Sequence, residues 1–475
     1  MCPRLGKQRL IALKCARSAL TYPYSMRLLL VSANRERLPS RVLPVGLLTV
    51  ASAARARHEV SLVDLCFEPE LEPALADAID RFRPDVVGLG LRNLHTNNYD
   101  GTEQLLAGYE AIGRAVRELT AAPIVLGGSG FSLRPAAILE RLGAQHGVVG
   151  EGELALPRLL DALAEGRPAP SLLIEGPRDP ALARLARRQP EGAARYALDH
   201  VPLPAFDLAD RRYFSEGDGT VSVQTKRGCA FACSYCDYPD LEGNMIRLRD
   251  PHAVADEVEG WLRVPGVRSL FFVDSVFNVP KWHALAVCRA LLERGLRLPW
   301  LCYASPASLD EELVAAMSAA GCVGVEIGSD TGTEESLRRL RKPFDLAAIR
   351  RAHQLFATYG IRDCHTFVVG AEHEDVCETE RTLRFVEELD PDVAVFVVFH
   401  EDREDRGVGE AAHGAALREL LARQAPTHPG WVVPELGIRF GDKVTRLLER
   451  KGVRGSSWLH LAQLRRGGLR ALRSE

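Results

Sequence analysis

Three cysteines crowd into one short stretch. Thr225-Lys-Arg-Gly-Cys229-Ala-Phe-Ala-Cys233-Ser-Tyr-Cys236 leaves three residues between the first pair and two between the second. Thiolates are the usual ligands of iron-sulfur clusters, and cysteines this close on a loop converge on one cubane without needing regular backbone. Three ligands for four irons leave one iron open, where a cofactor can bind and receive an electron. A structural zinc site wants a fourth Cys or His at matching spacing, and none lies nearby. Three thiols cannot all pair as disulfides, and 11 cysteines in 475 residues are too few for a disulfide scaffold. The pattern fits a metal site in a reducing cytoplasm.

A cluster loop needs a strand to carry it, and Val221 to Thr225 supplies one directly before the motif. Further apolar runs follow at Ser269 to Val273, Trp300 to Tyr303, Gly324 to Gly328, His365 to Val369 and Ala394 to Phe399. Helical patterns fill the gaps, notably Val254 to Leu262, Trp282 to Arg294, Leu346 to Tyr359 and Val376 to Leu389. Six strands are too few for a closed eight-unit barrel and suit an open partial barrel, with its site at the carboxyl ends of the strands. Ahead of this series lies a second one. Leu28 to Val31, Val60 to Leu65, Val86 to Leu91, Ile124 to Leu126 and Gly147 to Val149 alternate with amphipathic segments such as Glu70 to Phe82 and Thr102 to Leu119. Repeated βα units predict a doubly wound α/β domain with a parallel sheet. The organisation read here is a basic leader over 1–25, a doubly wound domain over 26–165, a linker rich in Pro, Arg and Ala over 166–217, the partial barrel over 218–400 and a basic helical segment over 401–475.

The cysteine spacing, with an aromatic residue, Tyr235, before the last ligand, resembles the radical S-adenosylmethionine superfamily. The resemblance implies a [4Fe-4S] cluster on Cys229, Cys233 and Cys236. Its open iron would bind the amino and carboxylate groups of S-adenosylmethionine, whose reductive cleavage yields methionine and a 5'-deoxyadenosyl radical. The implied fold is a six-unit partial βα barrel. Asp274 and Ser275, in Phe271-Phe-Val-Asp-Ser-Val-Phe-Asn278, stand where the family places contacts to the methionine amino group. Tyr303 ends the third strand, and Glu326 and Ser329 are candidates for the ribose or carboxylate. Val368-Val-Gly-Ala-Glu-His-Glu-Asp375 lacks the proline and second glycine usual on the adenine side.

Glycine clusters sit where the first domain's strands end. Pro44-Val-Gly46-Leu47 opens a helix, Gly127-Gly128-Ser129-Gly130 follows the fourth strand and Gly150-Glu151-Gly152-Glu153 the fifth. Such glycines let a ligand approach the backbone at the rim where open α/β sheets bind, though many domains carry them for turns alone. No Gly-x-Gly-x-x-Gly follows the first strand, so a dinucleotide site is disfavoured. In this order ahead of the cysteines, the clusters resemble the cobalamin-binding domain of class B radical methylases. Asp-x-His-x-x-Gly, the usual sign of a histidine on the lower face of the cobalt, is absent. The loop Gly90-Leu-Arg-Asn-Leu-His-Thr-Asn-Asn98 offers Arg92, with Asn93 beside it, and His95 as the competing residue.

The resemblance implies a cobalamin-dependent methyltransferase acting on an unactivated carbon or a phosphinate of a small molecule or lipid, with an external reductant such as flavodoxin or ferredoxin. A radical enzyme that rearranges or cyclises without methyl transfer, and a non-catalytic cobalamin or iron-sulfur sensor, remain as alternatives. A net charge of -3 gives no reason to expect nucleic acid, and no apolar run is long enough to span a membrane. Residues 1–25 carry Arg4, Lys7, Arg9, Lys14 and Arg17 with no acid, and Lys14 and Arg17 break the apolar stretch a signal peptide needs, which leaves a disordered leader or a true start at Met26. From Arg439 onward ten Lys or Arg oppose three acids, read as a solvated helical surface.

Overall fold

The computed structural model describes residues 25–37, 41–94, 101–175, 198–399, 408–439 and 456–467. The basic leader and His95 lie outside them. The first sheet has six parallel strands: β1 (Arg27–Ser32), β2 (Glu59–Asp64), β3 (Val86–Gly90), β4 (Ile124–Gly127), β5 (His146–Gly150) and β6 (Leu172–Glu175), in the order β2-β1-β3-β4-β5-β6. Along β1, Leu29 and Val31 join one buried cluster while Leu28 and Leu30 join the opposite one. Both faces are covered, so the strand reads as an unbroken apolar run rather than an alternation. The chain order reverses between β1 and β3, and the loops that follow them open a crevice at the carboxyl edge.

The second sheet holds β7 (Thr220–Val223), β10 (Ser269–Phe272), β11 (Trp300–Ala304), β12 (Cys322–Asp330), β13 (Arg362–Val369), β14 (Val393–Val398) and β15 (Trp431–Val432), all parallel. A short antiparallel pair, β8 (Lys226–Arg227) and β9 (Arg247–Leu248), brackets the cysteine loop. Four of the helices on the outer face start on aspartate caps. Asp250, Asp310, Asp345 and Asp375 each accept a backbone N–H of the first turn, and such caps contribute roughly 1 kcal/mol apiece. Outward-facing Phe272, Trp300, Val325 and Ile327 pack beneath helices 251–262, 281–293 and 311–319 in one continuous core.

The doubly wound domain and the open barrel are as expected, with three corrections. The segment read as a linker supplies β6, which pairs with β5 from Gly147 to Gly150. Leu172-Leu-Ile-Glu175 is only four residues long and follows the proline-containing run Arg167-Pro-Ala-Pro170, so a periodicity count passes over it. The barrel has a seventh strand, β15, because Trp431 and Val432 extend the edge of β14. Finally, the described part of the basic tail is no solvated surface. Helix 457–467 buries Trp458 and Ala462 against Leu301, Cys364, Val393 and Val432. Among the described residues no helix is long and apolar enough to cross a membrane.

Candidate functional site

Cys229, Cys233 and Cys236 are all free thiols and all partly accessible. Their loop is fixed at both ends by backbone: Cys229 N–H donates to Gly243 O at 3.1 Å and Ser234 N–H to Leu340 O at 3.3 Å. Gly228, just before the first cysteine, has φ +90 and lies so close to Met245 O that a Cβ would sit 2.1 Å from it. Burial pushes the Cys236 thiol up to about 11, and the charges of Cys233 and Cys229 add to the rise. Burial also raises Cys233, opposed by Lys342 and reinforced by Asp330 and Cys229. The three thiols lie near enough to feel one another's charge, and a metal cluster that takes them as thiolates offsets both burial and repulsion. The donor set fits an iron-sulfur cluster.

Tyr235 is held by a pair that sequence reading missed. Its hydroxyl donates to Asp330 Oδ1 at 2.7 Å and accepts from Lys342 Nζ at 3.0 Å, while Lys342 and Asp330 form a buried ion pair. The ammonium also lies 4.8 Å from the centre of the Tyr235 ring. Asp330 sits beside the predicted Ser329, so the strand end was legible but the partner 107 residues from Tyr235 was not.

The residues expected to contact S-adenosylmethionine divide into two groups. Asp274 is fully buried, and its two oxygens take the N–H of Thr225 (2.6 Å), the hydroxyl of Thr225 (2.5 Å), the N–H of Lys226 (3.2 Å) and the Lys226 ammonium (3.2 Å). It clamps the segment leading to Cys229 and presents nothing to a ligand. Ser329 is likewise fully buried and pairs with His365 Nδ1 at 2.7 Å. His365 leans in turn on Asp363, at 3.2 Å, on the outer face of β13. Ser275 is partly accessible and donates to Gly228 O at 3.2 Å. Tyr303 is 39% exposed and Glu326 partly so. Those two stand side by side in the register of β11 and β12, inside the barrel.

A cavity of about 420 Å³ lies between the two sheets. Its wall on the first domain includes Pro44, Gly46, Leu47, Arg92, Gly127 and Gly128, and also Ser129, Glu151 and Gly152. A Cβ on Gly46 would meet no atom within 4 Å and one on Gly127 would come no nearer than 3.9 Å, so this rim keeps open space where a side chain could have stood. Gly128 differs, because its backbone at φ +100 brings the Cβ direction within 2.4 Å of Leu91 O. Ser129 Oγ donates to Arg92 O at 2.6 Å and Tyr109 to Asn93 O at 2.8 Å, which fastens the loop after β3. Asn93 itself is absent from the cavity wall, and its carbonyl is taken by Tyr109. The opposite wall comes from the barrel: Gln224, Arg227, Tyr238, Leu241 and Glu242.

Glu151 is on the wall, yet its charge is engaged. It pairs with Arg247 at 2.6 Å and Arg227 at 3.4 Å, and Glu153 pairs with Arg227. The two arginines hold the Glu151 carboxyl below its ordinary value against the opposing effect of burial. This four-charge group joins the first domain to the residue two places before Cys229.

Comparison with known proteins agrees with the geometry. The Radical SAM superfamily model matches residues 223–386 and the B12 binding domain model residues 31–160. The chain is 31% identical over 372 residues to tryptophan 2-C-methyltransferase of Streptomyces laurentii, covering 65% of this chain and 60% of that one. Among solved structures, the radical S-adenosylmethionine methyltransferase TsrM of Kitasatospora setae with cobalamin and [4Fe-4S] cluster bound superposes with a TM-score of 0.76 at 24% identity, covering 92% of this chain and 97% of that one. The same protein with tryptophan substrate and a S-adenosylmethionine analogue gives 0.68 at 27% identity, with coverage of 78% and 73%.

Proposed function

We propose that this chain, which carries a B12-binding domain joined to a radical SAM domain, is a cobalamin-dependent radical S-adenosylmethionine methyltransferase acting on an unactivated carbon of a small molecule. The observation that carries the reading is the position of the cavity. Its floor is the glycine rim of the first sheet, and its roof includes Tyr238 and Leu241, within six residues of Cys236. A methyl donor and a radical source that act on one substrate must face one another, and a cavity walled by both sheets supports that arrangement.

Cys229, Cys233 and Cys236 would hold the cluster, and the rim from Gly46 through Gly127 to Gly152 would hold cobalamin. Arg92 on the wall is the candidate for the cobalt's lower face, since a guanidinium has no lone pair to offer a metal. Bound together, the cofactors supply a methyl group and the one-electron chemistry that opens a C–H bond. The chain's own residues position and seal. Asp274 and Lys226 lock the approach to the cysteines, Tyr235 is braced by Asp330 and Lys342, and the Glu151, Glu153, Arg227 and Arg247 group keeps the two domains closed against water. A reducing compartment and a one-electron donor protein complete the requirement.

Two results test this. Incubating the anaerobically purified, cofactor-loaded protein with methyl-labelled S-adenosylmethionine, a reductant and extracts of candidate metabolites moves label into a product, detected by mass spectrometry. Release of 5'-deoxyadenosine without label in any product would instead favour rearrangement or cyclisation, and release of neither would favour a sensor. For the rim, Gly128→Ala forces a side chain into a positive φ and against Leu91, a strain of about 1–3 kcal/mol. The variant melts at lower temperature and retains less cobalamin after desalting, read from visible absorbance; full retention would remove Gly128 from the cofactor rim.

A further inference from the structure

Inside the barrel the strands alternate in exposure. Phe271, Tyr303, Glu326, Thr366 and Val395 stay accessible on the concave face, while Phe272, Cys302, Ile327, Phe367 and Phe396 on the other face are buried. The concave face is therefore partly accessible along the barrel's interior. Its lower end is closed by helix 457–467: a Cβ on Gly324 would lie 2.7 Å from the ring of Trp458, which is buried with Leu301, Cys364 and Val393. Glu326 stands one layer above that plug, and Oε1 accepts the Trp458 indole N–H at 2.8 Å.

Glu326 is a partly accessible carboxyl without a counter-charge. Among the described residues none forms an ion pair with it, and its one hydrogen bond is the indole of Trp458 on Oε1. Its neighbours in register are Tyr303 on β11 and Cys364 on β13, neither of them cationic. Burying a carboxyl costs free energy that a partner normally offsets, so a charge-bearing group kept half-open in an apolar chamber calls for a partner from outside the chain. Burial raises this group to about 7, with Trp458 opposing, and the Glu326 charge is the largest cause of the rise in the Tyr303 phenol.

We propose that Glu326 selects the substrate, through its open oxygen, by a nitrogen that donates a hydrogen bond, either an amine or the N–H of a planar ring, with an apolar body lying against Phe271 and Val395. Trp458 already displays this pairing on the other oxygen. Substrates ending in a carboxylate or phosphate are repelled at the same point. The assignment rests on the barrel being the substrate chamber of the proposed methyltransferase, and it places Glu326 with the substrate rather than with S-adenosylmethionine.

The test is equilibrium dialysis of the cofactor-loaded protein, without oxygen, against 2-phenylethylamine, 3-phenylpropionate, indole and 1-methylindole. At a pH one unit above the Glu326 value, phenylethylamine is retained about tenfold more tightly than phenylpropionate, as a charge-assisted bond implies. Preference for indole over 1-methylindole of similar size, with no amine preference, identifies the neutral N–H form instead. Glu326→Gln keeps an acceptor for Trp458 and abolishes the discrimination between amine and carboxylate. Should that variant fold poorly, the parent decides alone: retention of the amine weakens as pH falls through about 7 and the carboxyl takes up a proton. Tyr303 and Cys364 stay protonated across that range, so neither supplies the change. Equal retention of amine and carboxylate together with equal retention of indole and 1-methylindole by the parent, or undiminished discrimination in Glu326→Gln, overturns the proposal. Formation of 5'-deoxyadenosine and label transfer by the parent are measured on the same preparation, so loss of those sinks the methyltransferase reading and leaves the dialysis result to judge Glu326.

Discussion

Alanine at Cys229, Cys233 or Cys236, one at a time, abolishes release of 5'-deoxyadenosine and strips iron from the purified protein. A cubane held by three thiolates loses a corner with any one of them, and no fourth protein ligand was found in the loop to replace it. The fold itself survives. The three side chains are only partly buried and belong to none of the apolar core clusters, so each truncation leaves no large core cavity. Cys377, exposed on the outer helix 376–389, is the control: Cys377→Ala keeps full iron content and full cleavage. The measurement is iron and sulfide analysis of each variant beside 5'-deoxyadenosine by chromatography. Parent-level cleavage from any one of the three variants overturns the cluster assignment.

What the sequence disclosed follows physical range. The cysteine loop, the strands flanking it and the glycine rim are local patterns, set by a metal's demand for close ligands, by apolar runs buried on both faces and by backbone that must approach a ligand. Each can be read within ten or so residues. The pairing of Tyr235 with Lys342, the cross-domain group of Glu151, Glu153, Arg227 and Arg247, and the seat of Trp458 on Glu326 join residues far apart in the chain. Nothing in composition or periodicity marks such partners. The basic tail misled for a related reason: charge counting describes the helix's wet side, whereas Trp458 and Ala462 decide where it packs. Buried polar residues misled most. A carboxylate at a strand end signals that something must neutralise it, but sequence cannot say whether that partner is a cofactor or the neighbouring strand.

Asp274 is the sharpest case, and its removal should rank with the costliest single changes in the chain. Thr225, Lys226 and Asp274 form a closed set: two backbone N–H groups, a hydroxyl and an ammonium all end on one carboxylate. Asp274→Ala leaves Lys226, 2% exposed, with only Phe277 O at 2.7 Å and the face of the Phe277 ring to answer its charge. Breaking one side of a buried ion pair costs about 3–5 kcal/mol, because the surviving charge keeps its desolvation penalty without its partner. Denaturant unfolding of the cluster-free protein reads this loss directly. Asp274→Asn should lose less, since an amide oxygen still accepts from the backbone, though its charge is gone. Cluster assembly falls with stability, because the strand end that Asp274 fastens leads into Gly228 and Cys229. The double change Lys226→Met with Asp274→Leu distinguishes the clamp from a cofactor contact. Replacing both partners removes the stranded charge, so much of the lost stability returns. An Asp274→Ala protein of parental stability that binds S-adenosylmethionine weakly would instead restore the direct contact that the sequence suggested.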